Sequence, residues 1–127
     1  MKLGDFCIVD TNQVGWEEVK QPWYSKPIRR KILRRDPTTG AILHVLVNYP
    51  AALNAPAHQH SCAHTLFVLE NEMIINGRAY LAGTYAHFPA GELMIHTSPD
   101  DRDCTFLLFF EAQPDFVLAD GKTYDVR

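Results

Sequence analysis

Residues 73–91 read MIINGRAYLAGTYAHFPAG, with Asn76-Gly77 set between Met73-Ile74-Ile75 and Arg78-Ala79-Tyr80-Leu81. An Asn-Gly pair supplies the two left-handed residues that a two-residue hairpin turn requires, so the stretch predicts two antiparallel strands. Ala82-Gly83 and Pro89-Ala90-Gly91 then punctuate the chain at intervals too short for helices. The same texture extends in both directions. Upstream, Asp36-Pro37-Thr38-Thr39-Gly40 is a turn by composition, and AILHVLVNY (41–49) after it is rich in β-branched residues. Downstream, Pro99-Asp100-Asp101 precedes CTFLLFF (104–110), a buried strand, and Asp120-Gly121 marks a last hairpin. Only Gly15-Trp16-Glu17-Glu18-Val19 predicts a helical turn, ended by Pro22. Short strands separated by turn signals about every 8–12 residues predict an all-β sandwich or barrel. Closing such a sheet removes its edges and leaves a cavity.

The chain has 127 residues, 46% hydrophobic and 21% charged, which predicts a single domain (1–127) with one core. No apolar run reaches the roughly 20 residues that cross a bilayer, and Gly4 and Asp5 interrupt what an export segment would need. The net charge of −3 makes the chain a poor match for nucleic acid or an anionic membrane. Three cysteines, Cys7, Cys62 and Cys104, are too few and odd in number for a disulfide framework, which points to a reducing, cytoplasmic setting. Lys26, Arg29, Arg30, Lys31, Arg34 and Arg35 crowd one segment. We read them as the wet face of an early strand, with Ile28, Ile32 and Leu33 partly buried, because no aromatic residues interleave as stacking platforms. Their acidic complement is expected on the C-terminal tail of the same chain or of a second copy.

Of six histidines, His58, His60 and His64 fall in one heptapeptide, HQHSCAH. In a strand, residues i and i+2 face the same way, so His58 and His60 project side by side, and convergent neutral imidazoles are what a divalent transition metal requires. If the chain stays extended, Cys62 and His64 continue the parity; His64 then offers a third ligand, and Cys62 a fourth or a pocket wall. A helical reading would set His60 and His64 four apart, but the Glu of an H-E-x-x-H site is missing and TLFVLE follows as a strand. One short strand cannot surround an ion, and His96, beyond Pro89-Ala90-Gly91, is the best outside ligand. His44 and His87 have no ligand pattern around them.

The stretch from Pro50 to Glu111 resembles the cupin superfamily, whose first motif is HxH, three or four residues, Glu, six residues, Gly. His58-Gln59-His60 matches its start, His64 stands where the glutamate usually does, and Asn71 occupies the glycine position, with Gly77 arriving later. The second motif is Gly, five residues, P-x-G, two residues, His; Gly83, Pro89 and Gly91 match its spacing, Met94 holds the histidine position, and His96 follows two residues on. A shift of two keeps strand parity. The lead-in to HQH is similar to cupins related to the ChrR anti-sigma domain. The neighbourhood of P-A-G-E is similar to three-histidine dioxygenases that cleave β-diketones and dihydroxyacetophenones. The resemblance implies a cupin-type double-stranded β-helix, a jelly-roll barrel with its core over 41–111, behind an N-terminal arm (1–26).

The resemblance also implies one divalent transition metal per chain (Fe, Ni or Zn), held by His58, His60, His64 and His96. Three protein ligands leave positions open for water, substrate or O₂. A site without a carboxylate favours an anionic chelating ligand such as an enolate, and with Fe(II) the implied reaction is C–C cleavage by O₂. Expected walls are Phe67, Tyr85, Phe88, Met94, Phe106 and Leu108, since small-molecule pockets are mostly apolar. Glu92 is read as a solvated turn residue. The other reading is a non-catalytic zinc sensor or ligand-binding module of ChrR type, with His64 or Cys62 closing the shell. The expected partners are a small-molecule ligand and a second copy of the chain, a homodimer exchanging the N-terminal arm, with no nucleic acid and no membrane.

Overall fold

The computed structural model describes residues 6–126, and its regular structure is almost wholly antiparallel strands. In chain order they are β1 (Glu17–Val19), β2 (Ile28–Arg35), β3 (Ile42–Tyr49), β4 (His58–Gln59), β5 (His64–Glu70) and β6 (Glu72–Ile75). They continue with β7 (Arg78–Leu81), β8 (Tyr85–Phe88), β9 (His96–Thr97), β10 (Cys104–Phe110), β11 (Asp115–Leu118) and β12 (Thr123–Asp125). A six-stranded sheet runs β1-β2-β3-β10-β5-β8. Two three-stranded sheets, β12-β11-β4 and β7-β6-β9, make the rest. His58 and Met94 join them, exchanging backbone hydrogen bonds of 2.9 and 2.8 Å. The architecture is the all-β cupin jelly roll.

Alternation fixes which side chains face inward. In β5, His64, Leu66 and Val68 are buried while Phe67 and Leu69 are exposed. In β10, Cys104, Phe106, Leu108 and Phe110 turn inward, and Val45, Val47 and Tyr49 of β3 meet them. Each large apolar side chain so buried contributes about 1.5–3 kcal/mol, and this layer is the floor on which the histidines rest.

The turns follow their residues. Asn76 and Gly77 both take positive φ (49° and 82°), closing the β6–β7 hairpin. Asp36 Oδ1 accepts from the backbone N–H groups of Thr38 and Thr39 (2.8 and 3.0 Å), ending β2 at the Asp-Pro-Thr-Thr-Gly turn. Asn71, in the place of the motif's glycine, takes φ 61°; asparagine tolerates the left-handed region, so the backbone turn survives the substitution.

One expectation is corrected. Gly15–Val19 is not a helical turn: Glu17, Glu18 and Val19 pair with Arg30, Arg29 and Ile28 as an edge strand, and the helical turn is a 3₁₀ turn at Thr11–Gln13, capped by Asp10. Glu17 of β1 takes Arg30, while Arg29 and Lys31 lie over the Trp16 ring at 5.3 and 4.7 Å. Among the described residues no helix is long and apolar enough to cross a membrane.

Candidate metal centre

β4 is only two residues long, and the chain bends at Ser61-Cys62 before β5 begins at His64. The extended run through Cys62 is therefore broken, and the parity argument holds for His58 and His60 alone. His64 reaches the interior through the separate parity of β5. Cys62 stands apart: its Sγ is 3.8 Å from the Ala112 carbonyl and burial pushes its thiol up, away from the thiolate a ligand would be.

His58, His60 and His96 are buried, and each offers a ring nitrogen within 4.8 Å of those of the others. The second ring nitrogen explains how each is aimed. His58 Nδ1–H donates to the Pro56 carbonyl at 3.0 Å, leaving Nε2 buried without a partner. His60 Nδ1–H donates to the Asp115 carbonyl of β11. His96 Nε2 is likewise orphaned, and the tautomer that leaves it unprotonated donates Nδ1–H to Tyr49 Oη at 2.9 Å. Tyr49 then donates to Tyr24 Oη at 3.1 Å. Both phenols are pushed up by burial, so they stay protonated and keep this chain of hydrogen bonds intact. Backbone carbonyls and a phenol on the outer nitrogens fix ring orientation in the way metal-ligating histidines require.

Burial holds the four inward histidines neutral. His58 is lowered to about 4, with the Pro56 hydrogen bond opposing the shift, and His64 is lowered to about 3, helped by the neighbouring imidazoles. His60 is also lowered, and His96 falls well below the usual range. A buried polar nitrogen without a partner costs free energy, so a cluster of neutral nitrogens aimed at one point fits a divalent transition ion. His64 is the fourth buried histidine and lies beside this trio. Its ring centroid is 4.5 Å from that of His60 and 6.3 Å from that of His96, it stacks on Phe88, and neither of its nitrogens has a partner.

The trio opens on a cavity of about 50 Å³. Of the six expected wall residues only Leu108 lines it. Phe106 lies beneath, edge-on to Tyr49 at 4.8 Å; Phe88 backs His64; Met94 is buried outside the cavity lining, with its backbone paired to His58. Phe67 and Tyr85 are a correction. They pair across β5 and β8 on the outer face, 37% and 65% exposed, because the inward positions of β5 are 64, 66 and 68. Glu92 is exposed on its turn.

Other walls come from both ends of the chain. Trp23, from the segment read as an arm, is buried against Phe116 of β11 with ring centroids 4.4 Å apart, and Phe116 stacks on His58 at 3.8 Å. Tyr24, Tyr49, Phe110 and Arg30 also line the cavity. Of these, Phe110 shares the parity of Phe106 and Leu108, and Arg30 that of Ile28 and Ile32. The contact of Trp23 with Phe116 has no local signal.

Fold and cluster together define a cupin with a three-histidine site. A sequence model of the ChrR cupin-like domain matches residues 5–114, and the chain belongs to that family. No protein of curated function matches the chain in sequence. Among solved structures, a candidate acetylacetone dioxygenase from Methylibium petroleiphilum PM1 is similar at 22% identity and a TM-score of 0.77, over 100% of this chain and 89% of that one. An acetylacetone dioxygenase from Acinetobacter johnsonii is similar at 16% identity and a TM-score of 0.72 (99% and 87%). The polyketide cyclase RemF from Streptomyces resistomycificus is similar at 21% and 0.71 (97% and 87%). At these identities the likeness is one of fold.

Proposed function

We propose that the chain binds one divalent transition metal ion through His58, His60 and His96, with His64 beside it, and acts as a dioxygenase on a small chelating diketone- or enolate-like substrate. The observation that carries this reading is the convergence of the orphaned Nε2 atoms of His58 and His96 with His60 in one buried cavity. A bound Fe(II) ion would supply Lewis-acid polarisation of the substrate and electrons for O₂. The protein supplies the rest. Pro56, Asp115 and Tyr49 hold the three rings in place, burial keeps them unprotonated, and Leu108, Phe110 and Phe116 exclude bulk water. The cavity has room for about four waters or the compact ligand that replaces them. The names of the two dioxygenase structures agree with this reading.

Elemental analysis of the purified protein should give one Fe, Ni or Zn per chain, lost in His58→Ala/His60→Ala. The Fe(II)-loaded protein should consume O₂ with a β-diketone. Metal content unchanged in the double variant would refute the site, and O₂ uptake no greater than in metal-free controls would refute the activity. A second reading, a zinc-binding sensor, is favoured by the ChrR family match and by the two free nitrogens of His64. Four protein ligands around Zn²⁺ with no bound water would select it.

A further inference from the structure

Arg30 is the only formally charged side chain among the residues that line the cavity. Strand parity puts it between Ile28 and Ile32 and opposite Val47, where an aliphatic side chain would pack. It is 9% exposed. Burying a guanidinium is costly unless its donors are paired, and Arg30 is paired along one edge only, to both oxygens of Glu17. Nε and Nη2 reach Glu17 at 3.3 Å each, long for charge-assisted bonds, whose usual length is about 2.7–2.9 Å. The Glu17 side chain is 54% exposed, so water competes for its charge. Nη1 has no hydrogen bond among the described residues. A packing role would be served better by an aliphatic residue, and a purely ionic role by a closer carboxylate.

We infer that Arg30 is the anion-binding group of this cavity, so that the ligand is a small oxo acid whose carboxylate is held at Arg30 while its oxo oxygen faces the histidines. The inference rests on the proposed function for the histidine end and refines its substrate class from a diketone to an oxo acid. Charge supports it. Neutral histidines leave a bound dication uncompensated, and the Arg30–Glu17 pair adds no net negative charge to offset it. A planar guanidinium matches a carboxylate in two parallel hydrogen bonds, as an ammonium cannot. The small volume excludes bulkier anions.

Acetoacetate and acetylacetone, near-isosteres that differ by a carboxylate, make the test. Calorimetric titration of the Zn(II)-loaded protein should show acetoacetate binding more tightly. Arg30→Met should weaken acetoacetate by ten- to a hundredfold, the worth of hydrogen bonds to a charged group, and leave acetylacetone within twofold. Arg30→Lys should restore part of the loss. Glu17→Gln, at an exposed edge position, removes the competing carboxylate and should tighten acetoacetate severalfold with Arg30 intact. Equal loss of both probes in Arg30→Met, or an unchanged acetoacetate affinity, would overturn the assignment. Elemental analysis reports on the histidine end separately. In metal-free protein the Arg30 Nε–H resonance should shift on titration with acetoacetate; a silent resonance overturns the anion site whether or not metal binds.

Discussion

The metal-free protein should lose stability steeply as pH falls from 7 to 5. Its four inward histidines are held below their ordinary pKa of about 6.5 by burial. In that case the unfolded chain binds more protons than the folded one. The stability is fully present above the unfolded pKa, is lost as pH drops below it, and stops falling only at the folded values, about 4 for His58 and about 3 for His64. Across that window each histidine costs about 1.4 kcal/mol per pH unit. From pH 7 to 5 the loss is about 2 kcal/mol for His58 and about 2 for His64. His60 and His96 add to it in the same direction. Asp36, whose carboxyl is held low by the backbone N–H groups of Thr39 and Thr38, loses its contribution only as pH falls through its folded value, below the usual carboxylate range and outside this window. A loss of about 4 kcal/mol is a large part of the roughly 5–15 kcal/mol typical of a domain, and at a urea m-value of about 2 kcal/mol/M it moves the midpoint by about 2 M. Urea titrations with a chelator present, followed by tryptophan fluorescence at pH 7.5, 6 and 5, would measure it. His64→Leu should flatten the slope, and Zn²⁺ should displace the loss to lower pH because the ion competes with protons for the same nitrogens. Equal midpoints at pH 7.5 and 5 would refute the reasoning.

Two further outcomes follow from the packing around the trio. Tyr49→Phe removes the acceptor for His96 Nδ1–H while keeping the ring, and should lower Zn²⁺ affinity about 10–100-fold in a competition titration with a chromophoric chelator, as for other partners of metal-ligating histidines; unchanged affinity would mean that the phenol does not orient His96. Phe116→Ala deletes a fully buried ring stacked on both Trp23 and His58 and should cost about 3–5 kcal/mol in urea denaturation, with the Trp23 emission shifting red in the native state; a cost below about 1 kcal/mol would show that the two ends of the chain do not share one core.

The strands and turns were legible because their signals are local. Asn76-Gly77 closes its hairpin with the two left-handed residues that such turns demand, and CTFLLFF buries alternate side chains. His58 and His60 were legible through parity, and His96 through the same parity shifted by two, since Met94 stands opposite His58 in the backbone and His96 pairs with Ile75 two residues on. Phe67 and Tyr85 were misplaced for a physical reason: aromatic character says that a side chain packs well, and only register says on which face. Arg30 was hidden by its neighbours. Six basic residues in one segment read as a solvated surface, while the alternation Ile28-Arg30-Ile32 within them placed one inside. The stack of Trp23 on Phe116 joins positions far apart in the chain, and no spacing rule reaches that distance.

The histidine at position 64 keeps a carboxylate away from the trio. A glutamate there would bring a negative charge beside the trio, lowering the net charge of a bound dication and weakening its hold on an anion. His64 brings none: burial and the neighbouring imidazoles keep it neutral, and its ring is confined between Phe88 and Phe110. Low polarity strengthens whatever electrostatic attraction remains. The cavity is lined by neutral imidazoles, one guanidinium and apolar side chains, and no carboxylate lines it. Selection for an anionic ligand is then a property of the whole enclosure, and restoring the carboxylate with His64→Glu should weaken acetoacetate binding to the Zn(II)-loaded protein even though Arg30 is untouched.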